Sequence, residues 1–343
     1  MKKLIYFLSI ILVFTACTNQ SQIFDDYPVK SIYFPFQYPV RTLSLGNDRL
    51  DNSLDKQHKF NIGVNVGGFY RENNQNWTVN FQVDNDLVYD YLVNTNGDTL
   101  KVLPTNYYSL NPASTVIIPK GSFVGLIEVQ LTEDFFLDAE AIKGNFVIPL
   151  KITNTPDDAE LIRGVANENI ANPNIHISTD WEINPRDYTL FGVKYVNPYH
   201  GSWLKRGKME VKDNTGNLVE TVVYRTQNVE FDIVATLTTT ALNQVSGTLN
   251  IGAEKWNFLL DVDANKNIIV KPDAGSTIQV NGTGKYVENG DSWGGTPEKP
   301  TPRDVLYLNY SFTRSNGNIC EVSDTLVFRD RGIKINEARP AVK

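Results

Sequence analysis

The chain has 343 residues, 41 % of them hydrophobic and 21 % charged, which is enough apolar material for two packed domains. Its formal net charge of −7 excludes nucleic acid as the natural partner, because the phosphates would be repelled. Two cysteines, Cys17 and Cys320, are its only thiols.

The first predicted element is a signal segment at residues 1–16. Lys2 and Lys3 precede an apolar run over residues 4–16, interrupted by Ser9 and Thr15. A membrane-spanning helix needs about 20 residues, so this shorter run fits a signal-peptide core. It ends in Phe14-Thr15-Ala16-Cys17, which is similar to the lipobox of bacterial lipoproteins. The expected mature protein begins at Cys17, lipidated on its thiol and acylated on its amine; the alternative is a plain secretory signal cut near Ala16. Two or three acyl chains anchor a protein stably where one does not. With Cys17 assigned to lipid, Cys320 has no disulfide partner. Its setting, Ile319-Cys320-Glu321-Val322, predicts a small buried apolar residue in a strand.

Residues 17–30 read as a tether, and strands follow. Residues 60–66, Trp77–Val83 and 121–131 are strand-like. The last two alternate apolar and polar side chains with period two, as half-buried antiparallel strands do. Asn94-Thr95-Asn96-Gly97 is a turn, and residues 87–93 are the one helical candidate in this half. Residues 31–154 therefore predict about seven strands in an immunoglobulin-like β-sandwich. Residues 155–187 are acidic, then Asn-rich, and read as a linker in which Trp181 staples the domains.

From residue 188 onward strands resume, at 188–196, 229–237, 245–251, 256–262, 305–312 and 322–328. Roughly eight to ten strands on short hairpins predict an antiparallel, lipocalin-like up-and-down barrel or a second sandwich over 188–343. The class is all-β. Residues 290–302 read as a Gly/Pro loop carrying Trp293. The chain also holds 36 Asn and 38 aromatic residues. That composition suits a loop-rich β-protein, and also sugar recognition by aromatic faces and amides.

Longer stretches carry a resemblance. Tyr188-Thr-Leu-Phe-Gly-Val-Lys-Tyr-Val-Asn-Pro-Tyr-His-Gly-Ser-Trp-Leu-Lys-Arg-Gly207 and Ser323-Asp-Thr-Leu-Val-Phe-Arg-Asp-Arg-Gly-Ile-Lys334 resemble the C-terminal β-domain of Bacteroides-type lipoproteins. Phe60-Asn-Ile-Gly-Val-Asn-Val-Gly-Gly-Phe69, Val116-Ile-Ile-Pro-Lys-Gly121 and Phe146-Val-Ile-Pro-Leu-Lys-Ile152 resemble their N-terminal domain, which also precedes some endoglycosidases. The resemblance implies an outer-membrane, lipid-anchored protein of a polysaccharide-utilisation system, with a glycan as ligand and an outer-membrane transporter complex as partner. After Cys17 the first acids are Asp25 and Asp26, so the external face of the membrane is expected without a surface-export signal beside the lipid.

Catalytic patterns are not evident. His58, His176 and His200 are far apart in sequence, and neither a zinc motif, a nucleophile elbow nor the Asp-x-x-Asp-x-Asp-x-Glu pattern of the endoglycosidases occurs. Asp261-Val-Asp-Ala-Asn-Lys-Asn267 opens like a calcium loop but lacks the Gly at position six and the distal Glu, and reads as a hairpin turn. Arg329-Asp330-Arg331 reads as a salt-bridged strand end, with an anionic-sugar site as the alternative. No metal or cofactor is expected. Tyr199, His200 and Trp203, just after a strand, could converge with Trp293 into an aromatic ligand platform, or could instead close the barrel end. The resulting expectation is a non-catalytic glycan-binding lipoprotein; the alternative is a structural or adhesive, pilus-like cell-surface subunit.

Overall fold

The computed structural model describes residues 24–48, 50–156, 159–251, 254–296, 298–333, 336–337 and 339–342. Cys17 and the signal segment lie outside the described residues. The fold is all-β, with two short helices, Ser53–Lys56 and Glu133–Leu137, among the described residues.

Two sheets form the sandwich. One runs in the order Ala159–Leu161, Lys30–Tyr33, Lys59–Gly67, Val124–Leu131, Tyr108–Asn111. The other runs Asn336–Glu337, Pro39–Ser44, Tyr188–Val196, Phe146–Asn154, Trp77–Val83, Thr115–Ile118, with Lys101–Val102 paired parallel to Phe146–Asn154. Alternation decides the faces: Phe60, Ile62, Val64 and Val66 are buried while the residues between them are not. Trp77 lies in this core, its indole N–H donated to Asn73 Oδ1 at 2.9 Å. The helical expectation at residues 87–93 is corrected to a 3-10 turn, Asn85–Leu87, and a two-residue strand, Leu92–Val93.

The domain boundary lies later than expected. Tyr188–Val196 does not open the barrel. It sits mid-sheet in the sandwich, antiparallel to Phe146–Asn154 and parallel to Pro39–Ser44. Its sequence explains this: Tyr-Thr-Leu-Phe-Gly-Val-Lys-Tyr-Val is buried on both faces, as central strands are. Residues 155–187 are accordingly an excursion from one strand of this sheet to its neighbour, not a linker between domains. Trp181 staples the excursion to itself, donating to the Asn174 carbonyl at 2.8 Å and packing on Gly164.

The crossover falls at Asn197. Its amide donates to the carbonyls of Ala241 and Gln244 at 2.9 and 2.8 Å, and its Oδ1 accepts from the N–H groups of Tyr199 and His200. Beyond it the strands Gly201–Lys212, Leu218–Tyr224, Ile233–Ala241, Gln244–Ile251, Glu254–Val262, Asn267–Pro272, Val280–Thr296, Lys299–Thr313 and Ile319–Asp330 form one antiparallel sheet. Pairing of Gly201–Lys212 with Ile319–Asp330 closes it into an eight-strand barrel. Inward residues fill it, Cys320 among them. Gly247 is required here, because a Cβ would lie 2.5 Å from the Phe258 ring.

Three other expectations meet the structure in this domain. The Ala264-Asn265-Lys266-Asn267 hairpin turn is present, with the Asp263 carboxylate accepting from Asn267 N–H at 2.8 Å. Residues 290–302 are not a loop but the far end of a long hairpin, paired at Asp291↔Arg303 and Ser292↔Pro302. Arg331 is not a surface ion pair. It is 2 % exposed, stacks on Phe328, and donates to the carbonyls of Asn47, Pro198 and His200, joining barrel to sandwich.

Candidate functional site

The excursion over residues 155–187 folds back on the connection between Lys30–Tyr33 and Pro39–Ser44, and a cleft of about 510 Å³ lies between them. Backbone bonds fix both walls: Phe34 N–H donates to the Arg186 carbonyl at 2.8 Å, and Leu190 N–H to the Gln37 carbonyl at 2.7 Å. Asn174 Oδ1 accepts His176 N–H at 2.9 Å, a side-chain turn that aims the imidazole inward.

His176 is the hub. Its Nε2 donates to the Leu87 carbonyl at 3.0 Å, which leaves Nδ1 to accept from the Tyr38 hydroxyl at 3.1 Å. Tyr38 also meets the Tyr188 hydroxyl, and Tyr188 donates to the Ile175 carbonyl at 3.0 Å. Tyr89 stacks on Tyr91 and sets its edge against His176, while Asn174 Nδ2 donates to the Tyr91 hydroxyl. Burial holds the His176 pKa down to about 4, opposed by the Leu87 carbonyl. Burial also raises the pKa values of Tyr38 and Tyr188, so at neutral pH the imidazole is uncharged and both phenols keep their protons.

At the mouth the chemistry differs. The Phe36 ring is 53 % exposed. Ser178, Asn184 and Arg186 line the same cleft, and their side chains are not engaged in hydrogen bonds among the described residues. An exposed aromatic face beside uncommitted hydroxyl, amide and guanidinium groups can stack on an apolar surface and bond paired hydroxyls in one ligand.

The structure does not assemble the expected aromatic platform. Trp203 is 0 % and Tyr199 3 % exposed. Trp203 donates to the Tyr199 carbonyl at 3.0 Å and packs edge-on against Phe328, and Tyr199 packs edge-on against Tyr286. Both close the barrel end, because rings of that size on inward positions of an eight-strand barrel fill it. His200 lies half-buried at the domain junction, its Nδ1 accepting Thr239 N–H at 3.1 Å, and burial with Arg331 and Lys194 lowers its pKa to about 4. Trp293 is on the outer face of the barrel wall. It packs on Leu204, Val305 and Val327, donates to the Phe328 carbonyl at 2.8 Å, and lies under the Arg303 guanidinium. Among the described residues no group of three or more His, Cys, Asp or Glu side chains is arranged to hold a metal.

The residues that do converge were not singled out in sequence. Phe36, Tyr38, His176, Asn184, Arg186 and Tyr188 come from three segments up to 152 positions apart. The one local signal is Asn172-Pro173-Asn174, an aspartic-type turn sequence just ahead of His176.

Fold and cleft define a two-domain all-β protein, a sandwich followed by a closed barrel. Residues 198–332 match the family model of a "Domain of unknown function (DUF5627)", and residues 25–159 match one described as a "-like, N-terminal domain". A structural-genomics protein of unknown function from Bacteroides ovatus, known from a crystal structure, is 33 % identical, with a TM-score of 0.81 over 93 % of this chain and 100 % of that one. The chain belongs to the same family as that protein. A multidomain protein including DUF1735 from Bacteroides ovatus is 14 % identical, with a TM-score of 0.40 over 90 % of this chain and 99 % of that one. No curated protein matches significantly.

Proposed function

We propose that this chain is a non-catalytic glycan-binding lipoprotein of a polysaccharide-utilisation system, holding oligosaccharide at the outer membrane through lipid on Cys17. The observation that carries the binding role is the half-exposed Phe36 ring set among the uncommitted Ser178, Asn184 and Arg186 side chains. The basic, apolar and Cys-terminated start of the chain supports the anchor.

Glycan-array screening and calorimetry on the chain from residue 18 onward test the binding role. Phe36→Ala should weaken glycan binding by about 2 kcal/mol, roughly thirtyfold, because among the described residues the ring is the one exposed aromatic anchor of the cleft. The melting temperature should not move. Undiminished affinity in Phe36→Ala and in Arg186→Ala would overturn the assignment of this cleft. Cys17→Ala should abolish palmitate labelling; a variant that still takes up label and pellets with outer membranes removes the anchor from the reading.

A further inference from the structure

The barrel wall is split. Ile233–Ala241 pairs with Gln244–Ile251 only from Leu237↔Gly247 to Ala241↔Gln244. Ahead of Leu237 it stays on Gly201–Lys212 alone, at Ala235↔Trp203 and Ile233↔Lys205. Leu218–Tyr224 takes the rest of that strand, from Gly207↔Tyr224 to Lys212↔Leu218. The segment between them, residues 225–232, swings outward and is anchored by the Arg206–Asp232 ion pair and by Thr226 N–H on Asp232. A slit thus opens at the end of the barrel away from the sandwich. Behind it lies a cavity of about 740 Å³, within the usual range for small-molecule sites.

Met209, Val222, Leu249 and Val322 form an apolar strip along it, and Thr236, Thr248, Tyr224, Tyr310 and Lys205 line the rest. Its floor is formed by Tyr224, Tyr310 and Lys205, behind which the buried Asp324 carboxylate accepts from the hydroxyls of Tyr310, at 2.8 Å, and Tyr224, and pairs with Lys205 Nζ at 3.0 Å. Burial and Asp324 both raise the two phenol pKa values, so these donors keep their protons. The floor is charge-balanced, and a second anion placed there would face Asp324 after losing its own water. The rim is different. Lys255 stands there with its side chain exposed.

We propose that this cavity binds an amphipathic anion of fatty-acid type, its tail along Met209, Val222, Leu249 and Val322 and its carboxylate at the rim beside Lys255. The site is separate from the Phe36 cleft, so the two readings stand or fall independently.

The test is fluorescence titration of the chain from residue 18 onward, which contains every described residue, with 1-anilinonaphthalene-8-sulfonate and competition by oleate or oleyl alcohol. One saturable site is expected, with oleate displacing the dye at least about tenfold better than the alcohol. Val222→Trp, which fills the shaft, should weaken dye and oleate by about tenfold or more. Lys255→Glu should weaken oleate alone; its side chain is exposed, so this variant decides the matter if Val222→Trp lowers the melting temperature. Wild-type dye binding in a normally folded Val222→Trp overturns the cavity assignment. Equal competition by oleate and oleyl alcohol, unchanged in Lys255→Glu, overturns the anionic head group.

Discussion

Each domain carries a tyrosine cluster, and the two differ in what their hydroxyls meet. In the sandwich Tyr38 and Tyr188 meet neutral His176 and a backbone carbonyl. In the barrel Tyr224 and Tyr310 meet the Asp324 carboxylate, which also needs Lys205. A neutral network can be walled in by a polar surface cleft. A buried charge demands a counter-ion and a full set of donors, and these occupy interior positions that side-chain packing would otherwise take. The sandwich accordingly fills its interior with aromatic and branched residues, and the groups that line its cleft stand outside that core. The barrel packs its interior from Trp203 to Cys320 but leaves a cavity beside Tyr224, Tyr310 and Lys205, the groups that hold Asp324.

The sharpest test of this contrast is in the filled regions. Trp203 and Trp77 are fully packed, one per domain. Replacing either by Ala should cost about 3–5 kcal/mol of stability, measured by denaturant unfolding. Tyr310→Phe, at the shaft floor, keeps the ring and removes one donor from Asp324, for about 1–3 kcal/mol. A Trp203→Ala loss no larger than that of Tyr310→Phe would contradict a barrel packed at its sandwich-facing end.

Much of this was legible in sequence and some was not, for identifiable reasons. Period-two alternation located Trp77–Val83 at its true bounds and residues 121–131 around Val124–Leu131, and the strand-like run 60–66 falls within Lys59–Gly67. The hairpin over Asp261 to Asn267 was read from its turn residues. The domain boundary was not legible locally, because Tyr188–Val196 is a doubly buried central strand whose partners lie near residues 40 and 150. Aromatics told little about exposure: Trp203 and Tyr199 follow an Asn-Pro turn yet are core, whereas Phe36 is open. The cleft itself is a product of the excursion's path, and no spacing rule encodes that.

Acid should separate the clusters next. The His176 pKa falls from its usual 6.5 to about 4 on folding, so between these values the unfolded chain binds the extra proton. Stability from the neutral imidazole is fully present above pH 6.5 and is lost as pH falls toward 4, by up to about 3 kcal/mol. His200, lowered in the same way at the domain junction, adds loss in the same window. In His176→Gln the melting temperature should fall less between pH 7 and pH 4 than in the parent. An identical pH slope in the variant would mean that the sandwich cluster is not the acid-sensitive element.

The smallest expected effect discriminates most between the two surfaces. Trp293 is half-buried on the outer barrel wall, with its N–H committed to Phe328 and its face to Arg303. Losing one hydrogen bond, one cation–π contact and part of an apolar patch should cost about 1–2 kcal/mol in Trp293→Ala, well below the Trp203 value. Glycan affinity should not change, because Trp293 has no place in the Phe36 cleft. Phe36→Ala predicts the converse pattern, with affinity lost and stability kept. Thermal melting and calorimetry on the same two variants therefore place them in opposite corners. A Trp293→Ala protein that melts normally but no longer binds glycan would move the binding surface from the sandwich to the barrel wall.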